Sequence, residues 1–184
     1  MASAIRLVAL HELNDAQWRE LLRIMSDDRV TRWLSDGAQW STEKLLKLRE
    51  YSAHDAAIAT GKRDYFYWGI VIEGDALAGI IGLHPSLPAA CSGSYDILVE
   101  RAPLQIMIAI DPAQQGRGIA RAALDIAITR EFLRELGRDV QVIINERNIA
   151  SIRTFERWGK IARDTWVPSF KIRRAMYRAY RVRI

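Results

Sequence analysis

One stretch constrains this chain more than any other: L-Q-I-M-I-A-I-D-P-A-Q-Q-G-R-G-I-A-R-A-A-L, Leu104 to Leu124. Leu104 to Ile110 is almost continuously apolar, the composition of a strand buried on both faces. Pro112, Gly116 and Gly118 then interrupt the run. After them Ile119, Ala122, Ala123, Ile126, Ala127, Leu133 and Leu136 approximate a helical stripe that Gly137 terminates. A strand, a glycine turn and a helix N-terminus in succession predict an α/β fold and mark a candidate anion site. Consecutive backbone N–H groups converge on such a turn, and the helix adds its unsatisfied amides and positive dipole end. A side chain at Gly116 or Gly118 would block the anion or forbid the dihedrals the turn requires. The dipole supplies only about 0.3–2 kcal/mol, so multiple hydrogen bonds must carry the affinity.

The rest of the chain extends the alternation. Ile5 to Leu10 has strand composition, and Asn14 or Asp15 then caps a helix to about Met25 with Trp18, Leu21, Leu22 and Met25 on one face. A tryptophan-marked loop, W-L-S-D-G-A-Q-W, leads to Ser41, which opens a second helix from Thr42 to about Thr60, closed by Gly61. Y-F-Y-W-G-I-V-I and A-L-A-G-I-I-G-L, separated by E-G-D, form a hairpin signal, and H-P-S-L-P-A-A-C-S-G-S reads as a loop. V-Q-V-I-I-N is another buried strand, Ala150 to Trp158 a short helix, and Tyr180, Val182 and Ile184 alternate with Ala179, Arg181 and Arg183 as in a half-buried strand. The order is β-α-α-β-β-β-α-β-α-β-β, without repeat or linker.

Composition removes several function classes. With 184 residues, 49% of them hydrophobic, residues 1–184 are expected to form a single domain with a substantial core. No window reaches the roughly 18 uninterrupted apolar residues of a membrane helix, and Arg6 breaks the opening A-I-R-L-V-A-L, so a cytoplasmic protein is expected. Cys91 is the single cysteine, and His11, His54 and His84 are not paired at ligand spacing, which predicts no disulfide framework and no metal. Residues 1–100 carry 10 Lys/Arg against 14 Asp/Glu, whereas residues 101–184 carry 17 against 8. That polarity would draw a polyanion to the second half and a cation to the first, unless the charges are only solvated surface.

A triphosphate loop would need Gly-Lys-Ser/Thr, and no lysine follows the glycines here. A dinucleotide fingerprint would need a third glycine where Arg121 stands, and an acid at the end of the next strand, which finishes at Asn145. The pattern that remains is Gln115-Gly116-Arg117-Gly118-Ile119-Ala120, followed after one strand by N-I-A-S-I-R-T-F-E-R-W-G-K, Asn148 to Lys160. Together these motifs resemble the GNAT superfamily of N-acetyltransferases, over about residues 5 to 182 in element order. The resemblance implies an α/β fold with a mixed, mostly antiparallel central sheet of six to seven strands, flanked by helices and splayed at the cofactor site.

It implies acetyl-CoA as acyl donor, with the pyrophosphate on the amides of Gln115, Gly116, Arg117, Gly118, Ile119 and Ala120. The pantetheine arm would pair with the strand before the turn, through Ile108, Ala109 and Ile110. Asn148 matches the family's cofactor-contacting asparagine, although Asn is also among the best helix N-caps. Phe155 occupies the place of the family's tyrosine acid, and Gln105 that of a frequent glutamate. Asn148-x-x-Ser151 with Phe155, and R-W-L ahead of W-S-T-E, look like the branch that acetylates protein N-termini, including those of ribosomal proteins. Ser151 then becomes the candidate acid, against a reading as a first-turn serine bonded to backbone. Glu100 is the first candidate base, then Asp96 and His84. Trp33, Trp40, Asp36 and His84 belong to the region that would shape the acceptor pocket, with core packing the competing reading, for Trp33 above all.

The activity implied is transfer of an acetyl group to a primary amine, a protein N-terminus or a small molecule, by direct attack on the thioester. Its rival is a catalytically silent CoA-binding module, motivated by Phe155 and Gln105. The partners implied are acetyl-CoA and the amine acceptor, in a monomer or homodimer with no membrane contact. Nucleic-acid binding through the arginine-rich tail is not favoured, because its period-two pattern is that of a structural strand.

Overall fold

The structure, a computed structural model, describes residues 4–34, 39–85, 103–162, 167–172 and 175–183. Its strands are β1 (Ile5–Ala9), β2 (Phe66–Ile72), β3 (Leu77–Pro85), β4 (Leu104–Ile110), β5 (Val140–Asn145), β6 (Val167–Ile172) and β7 (Ala175–Arg181). They join in one sheet in the order β1-β2-β3-β4-β5-β7-β6. Every neighbouring pair is antiparallel except β4 with β5. The helices are α1 (Asp15–Met25), α2 (Asp28–Thr31), α3 (Thr42–Asp55), α4 (Ile119–Ala127), α5 (Arg130–Leu136) and α6 (Ile149–Trp158). None among the described residues is long and apolar enough to cross a membrane.

Period-two alternation divides the core between the two faces of the sheet. Met107 and Ala109 of β4 pack with Ile80 and Tyr67 against α1 and α3, through Trp18, Leu21, Leu45 and Leu48. Leu104 and Ile106 point the other way, into Ile119, Ala123 and Leu124 of α4 and Phe155 and Trp158 of α6. Each strand side is thus apolar, as a central strand covered by helices on both faces requires. Local signals fix the helix starts. The Asn14 side chain accepts from Gln17 N at 2.9 Å while Gln17 Oε1 accepts from Asn14 N at 3.1 Å, a reciprocal capping box on α1. Ser41 caps α3 through Lys44 N at 3.2 Å.

Two expected helices are shorter than the pattern suggests. The second does not continue to Thr60: α3 ends at Asp55, and Gly61 lies in a 3-10 turn over Thr60–Lys62. Only Leu45 and Leu48 of α3 are buried, so no apolar stripe prolongs it, and the Arg63 side chain donates to the Ala56 carbonyl at 2.8 Å and to that of Ile58. The stripe from Ile119 to Leu136 is two helices. Ile128, fully buried, leaves helical geometry at φ −114° and ψ 76°, and Thr129 restarts the chain by capping Phe132 N at 3.1 Å. Ile126, assigned to the buried stripe, is 46% exposed, at the edge of the face that Ile119, Ala123, Leu124 and Ala127 bury.

Candidate functional site

The one parallel pair opens the sheet. β4 and β5 are in register at Leu104 with Val140, Gln105 with Gln141 and Ile106 with Val142, and pair no further although both strands continue. Met107 to Ile110 remain bonded to β3, and Ile143 to Asn145 to β7. The backbone N–H and C=O groups that these segments turn toward each other therefore need partners from water or a ligand. Four residues of extended chain give the gap a length of roughly 13 Å.

The gap opens into a cavity of about 1190 Å³ that reaches both faces of the sheet. On one face it is lined by Arg29, Arg32 and Trp33 at and after α2, by Trp40, and by His84 and Pro85 at the end of β3. On the other it is lined by Asn148, Ser151, Thr154 and Phe155 of the α6 segment and by Ile119 and Arg121 of α4. Gln105 to Ile110 of β4 and Val142 to Asn145 of β5 form its waist.

The glycine turn closes one end. Gly116 and Gly118 adopt φ +80° and +78°, left-handed values that a side chain disfavours, and a Cβ on either would meet no atom within 4 Å. Gly118 is the N-cap of α4 and offers no side chain to the first-turn amides, which stay available to an anion. Beneath the turn, Asp111 accepts from Ala113 N at 3.0 Å and pairs with Arg23 of α1 at 2.5 Å, with its carboxylate 7% exposed. The Gln115 side chain donates to the Ile110 carbonyl at 3.1 Å. Asp111 and Gln115 together tie the turn to the end of β4 and to the opposite helical layer.

His84 is the histidine of this cavity, and its environment is perturbed. Burial pushes its pKa below the ordinary 6.5, the Lys44 charge adds to the depression, and a hydrogen bond to the Pro85 carbonyl opposes both. The ring stacks on Tyr67, centroids 6.4 Å apart and planes 8° from parallel. Burial raises the pKa of that tyrosine above its ordinary 10. A carbonyl can only accept, so the 3.2 Å contact from His84 Nδ1 to Pro85 O places the ring proton on Nδ1. Nε2 of the neutral ring then carries a lone pair.

Of the residues expected from the sequence, Ile108, Ala109, Ile110, Gln115, Gly116, Gly118, Ile119, Ala120, Asn148, Ser151, Phe155, Trp33 and His84 line this one cavity. Arg117 does not line it; its guanidinium bonds the Gln114 side chain. Glu100, Asp96, Asp36 and Cys91 lie outside the described residues. The Asn148 side chain accepts from Ser151 N at 3.1 Å, so the helix-cap reading is realised in a residue that also faces the cavity. Both tryptophans line the cavity, and the core-packing alternative holds for Trp40 and not for Trp33. Trp40 is the core residue, 8% exposed, whereas Trp33 is half-buried beneath the Arg32 guanidinium at 5.0 Å.

Asp36, Asp96 and Glu100, the acids expected on the acceptor side, lie outside the described residues. Among the described residues of the first hundred, the charged ones that line the cavity are Arg29 and Arg32, and no described carboxylate does. Arg29 is held by Asp27 at 2.6 Å, which balances one of these charges locally. The sequence reading missed Arg121, Arg147 and Arg157, which line the cavity with them; the excess of Lys/Arg over Asp/Glu after residue 100 was the signal for all three.

A mixed sheet broken at its single parallel pair, with a glycine turn at the mouth of the break, defines an α/β protein built to hold an extended anionic ligand through the sheet. The family model described as Acetyltransferase (GNAT) domain matches residues 7–160, and the chain belongs to that family of acetyltransferases. No curated protein matches the chain. Solved structures share the fold at low identity. The GNAT-family acetyltransferase from Bacillus anthracis is 14% identical with a TM-score of 0.64, covering 99% of this chain and 96% of that one. Spermidine N-acetyltransferase from Vibrio cholerae, solved with CoA and spermine, is 16% identical with a TM-score of 0.63, covering 98% and 93%. A Salmonella typhimurium protein solved with its cofactor acetyl-CoA is 19% identical with a TM-score of 0.65, covering 100% and 94%.

Proposed function

We propose that this protein transfers the acetyl group of acetyl-CoA to a primary amine, and that its acceptor is the N-terminus of a protein or peptide. The observation that carries the donor half is the unpaired edge of β4 leading directly onto the open glycine turn. An arm with amide groups can complete the β4 edge as an added strand would, through Ile108, Ala109 and Ile110. A pyrophosphate at its end meets the amides from Gln115 to Ala120, and Arg121, Arg147 and Arg157 supply positive charge on the same cavity wall. The thioester supplies an activated acyl group; every other requirement falls on the chain.

Those requirements are orientation, proton removal and protonation of the leaving group. The cavity traverses the sheet, so an amine entering beside Trp33 and His84 approaches the acyl carbon from the face opposite α6. Direct attack needs no covalent enzyme intermediate. Phe155, 1% exposed, has no proton to give, and Ser151 on the same wall is the group we assign to that task. The Asn148-x-x-Ser151 spacing supports the protein N-terminus branch.

Calorimetry with CoA tests the donor half, and a thiol-release screen with Ala- and Ser-terminal peptides, spermidine and aminoglycosides tests the acceptor half. Binding at micromolar CoA and peptide-dependent thiol release are expected. Absence of CoA binding at tens of micromolar overturns the reading. Binding without turnover on any acceptor would instead favour the silent module that Phe155 and Gln105 first suggested.

A further inference from the structure

We propose that His84 is the general base of the reaction, its Nε2 taking the proton from the acceptor ammonium. The inference rests on the acetyltransferase reading above and adds the residue that makes the amine nucleophilic.

Three features of the structure converge on this ring. First, it stands where the sheet opens. His84 lies opposite Gln105 on β4, one residue before Ile106, the last position at which β4 and β5 pair. It lines the cavity on the face that Trp33, Trp40 and Arg32 also line, from which the acceptor is proposed to enter. Second, its tautomer is fixed. The Nδ1 proton is committed to the Pro85 carbonyl at 3.2 Å, leaving Nε2 as a bare acceptor. Third, its orientation is held by the near-parallel ring of Tyr67, which itself covers Gly82, where a Cβ would fall 2.2 Å from Tyr67 Cδ1. Any residue but glycine at 82 would displace the ring on which His84 rests.

The groups facing the imidazole among the described residues are Tyr67 of β2 and Lys44 of α3, with uncharged Gln105 beside it on β4. Tyr67 stays neutral because burial raises its pKa, and Lys44 opposes a second positive charge. Among the described residues no carboxylate contributes to the His84 pKa. The ring is therefore neutral at pH 7 and competent to accept a proton.

The proton count closes. One N–H proton of the ammonium moves to Nε2, and the freed lone pair forms the C–N bond to the acyl carbon. The C–S bond breaks with its electron pair on sulfur, the Ser151 hydroxyl gives its proton to the thiolate, and the second N–H proton restores the hydroxyl. The imidazolium then returns its proton to solvent. Matching of pKa also narrows the acceptor. A protein α-amine near 7.7–8.0 passes its proton to an imidazole at 6.5 or below against an equilibrium of at least about twentyfold, whereas an alkylamine near 10.4 faces roughly 10⁴-fold. A neutral histidine base therefore suits peptide N-termini over polyamines.

The test compares the wild-type chain with His84→Gln, using acetyl-CoA and an Ala-terminal peptide. In the wild type, kcat should fall with acid through a midpoint below pH 6.5. His84→Gln should lose that limb and about 10²–10⁴-fold in kcat at pH 7, with CoA affinity by calorimetry within about threefold. A variant that keeps the acidic limb, or loses less than about threefold in kcat, overturns the proposal. Titration of the wild-type His84 ring by NMR, with CoA bound, decides independently of any acceptor. A midpoint below 6.5 with the proton on Nδ1 supports the assignment; a midpoint above 6.5, or a proton on Nε2 of the neutral ring, overturns it. If CoA binds but no amine panel turns over, the acetyl-transfer reading fails and the base assignment falls with it; turnover that does not depend on His84 overturns the base assignment alone.

Discussion

Replacing Gly118 by aspartate probes the turn with a single charge. Gly118 has φ +78°, and a Cβ there meets nothing within 4 Å, so the folded chain has room for the side chain. The cost to folding is the left-handed backbone alone, about 1–2 kcal/mol for a general residue and less for Asp or Asn, which tolerate that region best. A phosphate resting on the turn amides would lie on the order of 4–6 Å from the new carboxylate. At an effective dielectric of about 20, each pair of unit charges at that range repels by about 3–4 kcal/mol, and salt at about 0.15 M screens roughly half of it. Two phosphate charges then give about 3–4 kcal/mol, or 10²- to 10³-fold in affinity. Gly118→Asn has the same shape without the charge, so the ratio of the two dissociation constants for CoA, measured calorimetrically, isolates the electrostatic part. That ratio should approach 10²–10³ and shrink at higher salt. Equal weakening by Asp and Asn, or no weakening by Asp, would refute the placement of an anion on this turn.

Three further perturbations have calculable outcomes. Asn148→Ala removes the cap on Ser151 N and should cost about 1 kcal/mol in thermal or urea unfolding; a drop in CoA affinity beyond that loss would give Asn148 its second role. Asp111→Asn leaves the turn's Ala113 N–H acceptor in place and removes one of the two carboxylate partners of Arg23, which keeps Glu20 at 2.6 Å. Because that arginine is half-exposed and can rehydrate, the expected loss is about 1–2 kcal/mol rather than the ~3–5 of a fully buried pair, read from urea denaturation. Stability should also fall as pH drops below 6.5. The folded state holds His84 below its ordinary value, so the unfolded chain takes up the proton first; His84→Gln should flatten the Tm profile between about pH 7 and 5.5, and an unchanged slope would contradict the burial of the ring.

The elements that sequence reading captured share one property: their signal is local and repetitive. Leu104 to Ile110 and Val140 to Asn145 are apolar at nearly every position, and strands of that kind have nowhere to go but the centre of a covered sheet. The glycine turn was readable because Gly116 and Gly118 have no other purpose at φ near +80°. Where a break depends on tertiary contacts, the pattern misled. Nothing in the spacing of Ile119 to Leu136 announces that buried Ile128 must leave helical geometry, and the end of α3 is set by Arg63, seven residues past Ala56. Net charge located Arg121, Arg147 and Arg157 as a class, yet it pointed the wrong way for Arg29 and Arg32, because a half-chain sum says nothing about which of its charges face a cavity. The same limit explains Trp33 and Trp40: composition marks both as apolar, and only the path of the chain after α2 decides which one enters the core.

On the proposed reading, backbone groups of two strands and a turn would hold the donor, and side chains from α2, the segment before α3 and the end of β3 would meet the acceptor. If the sheet separates the two ligands, substitutions on one face should alter one Michaelis constant and spare the other. Trp33 is the sharpest probe, since it is half-buried, lines the cavity and lies outside both core clusters, so Trp33→Ala should cost under about 1 kcal/mol in stability. It removes an aromatic wall on which Arg32 rests at 5.0 Å, and the acceptor KM should rise by about tenfold with CoA affinity unchanged within about threefold. A matched loss of CoA affinity would mean that both ligands meet on the α2 side. The gap between β4 and β5 would then be an entrance for one ligand instead of a passage that brings two together.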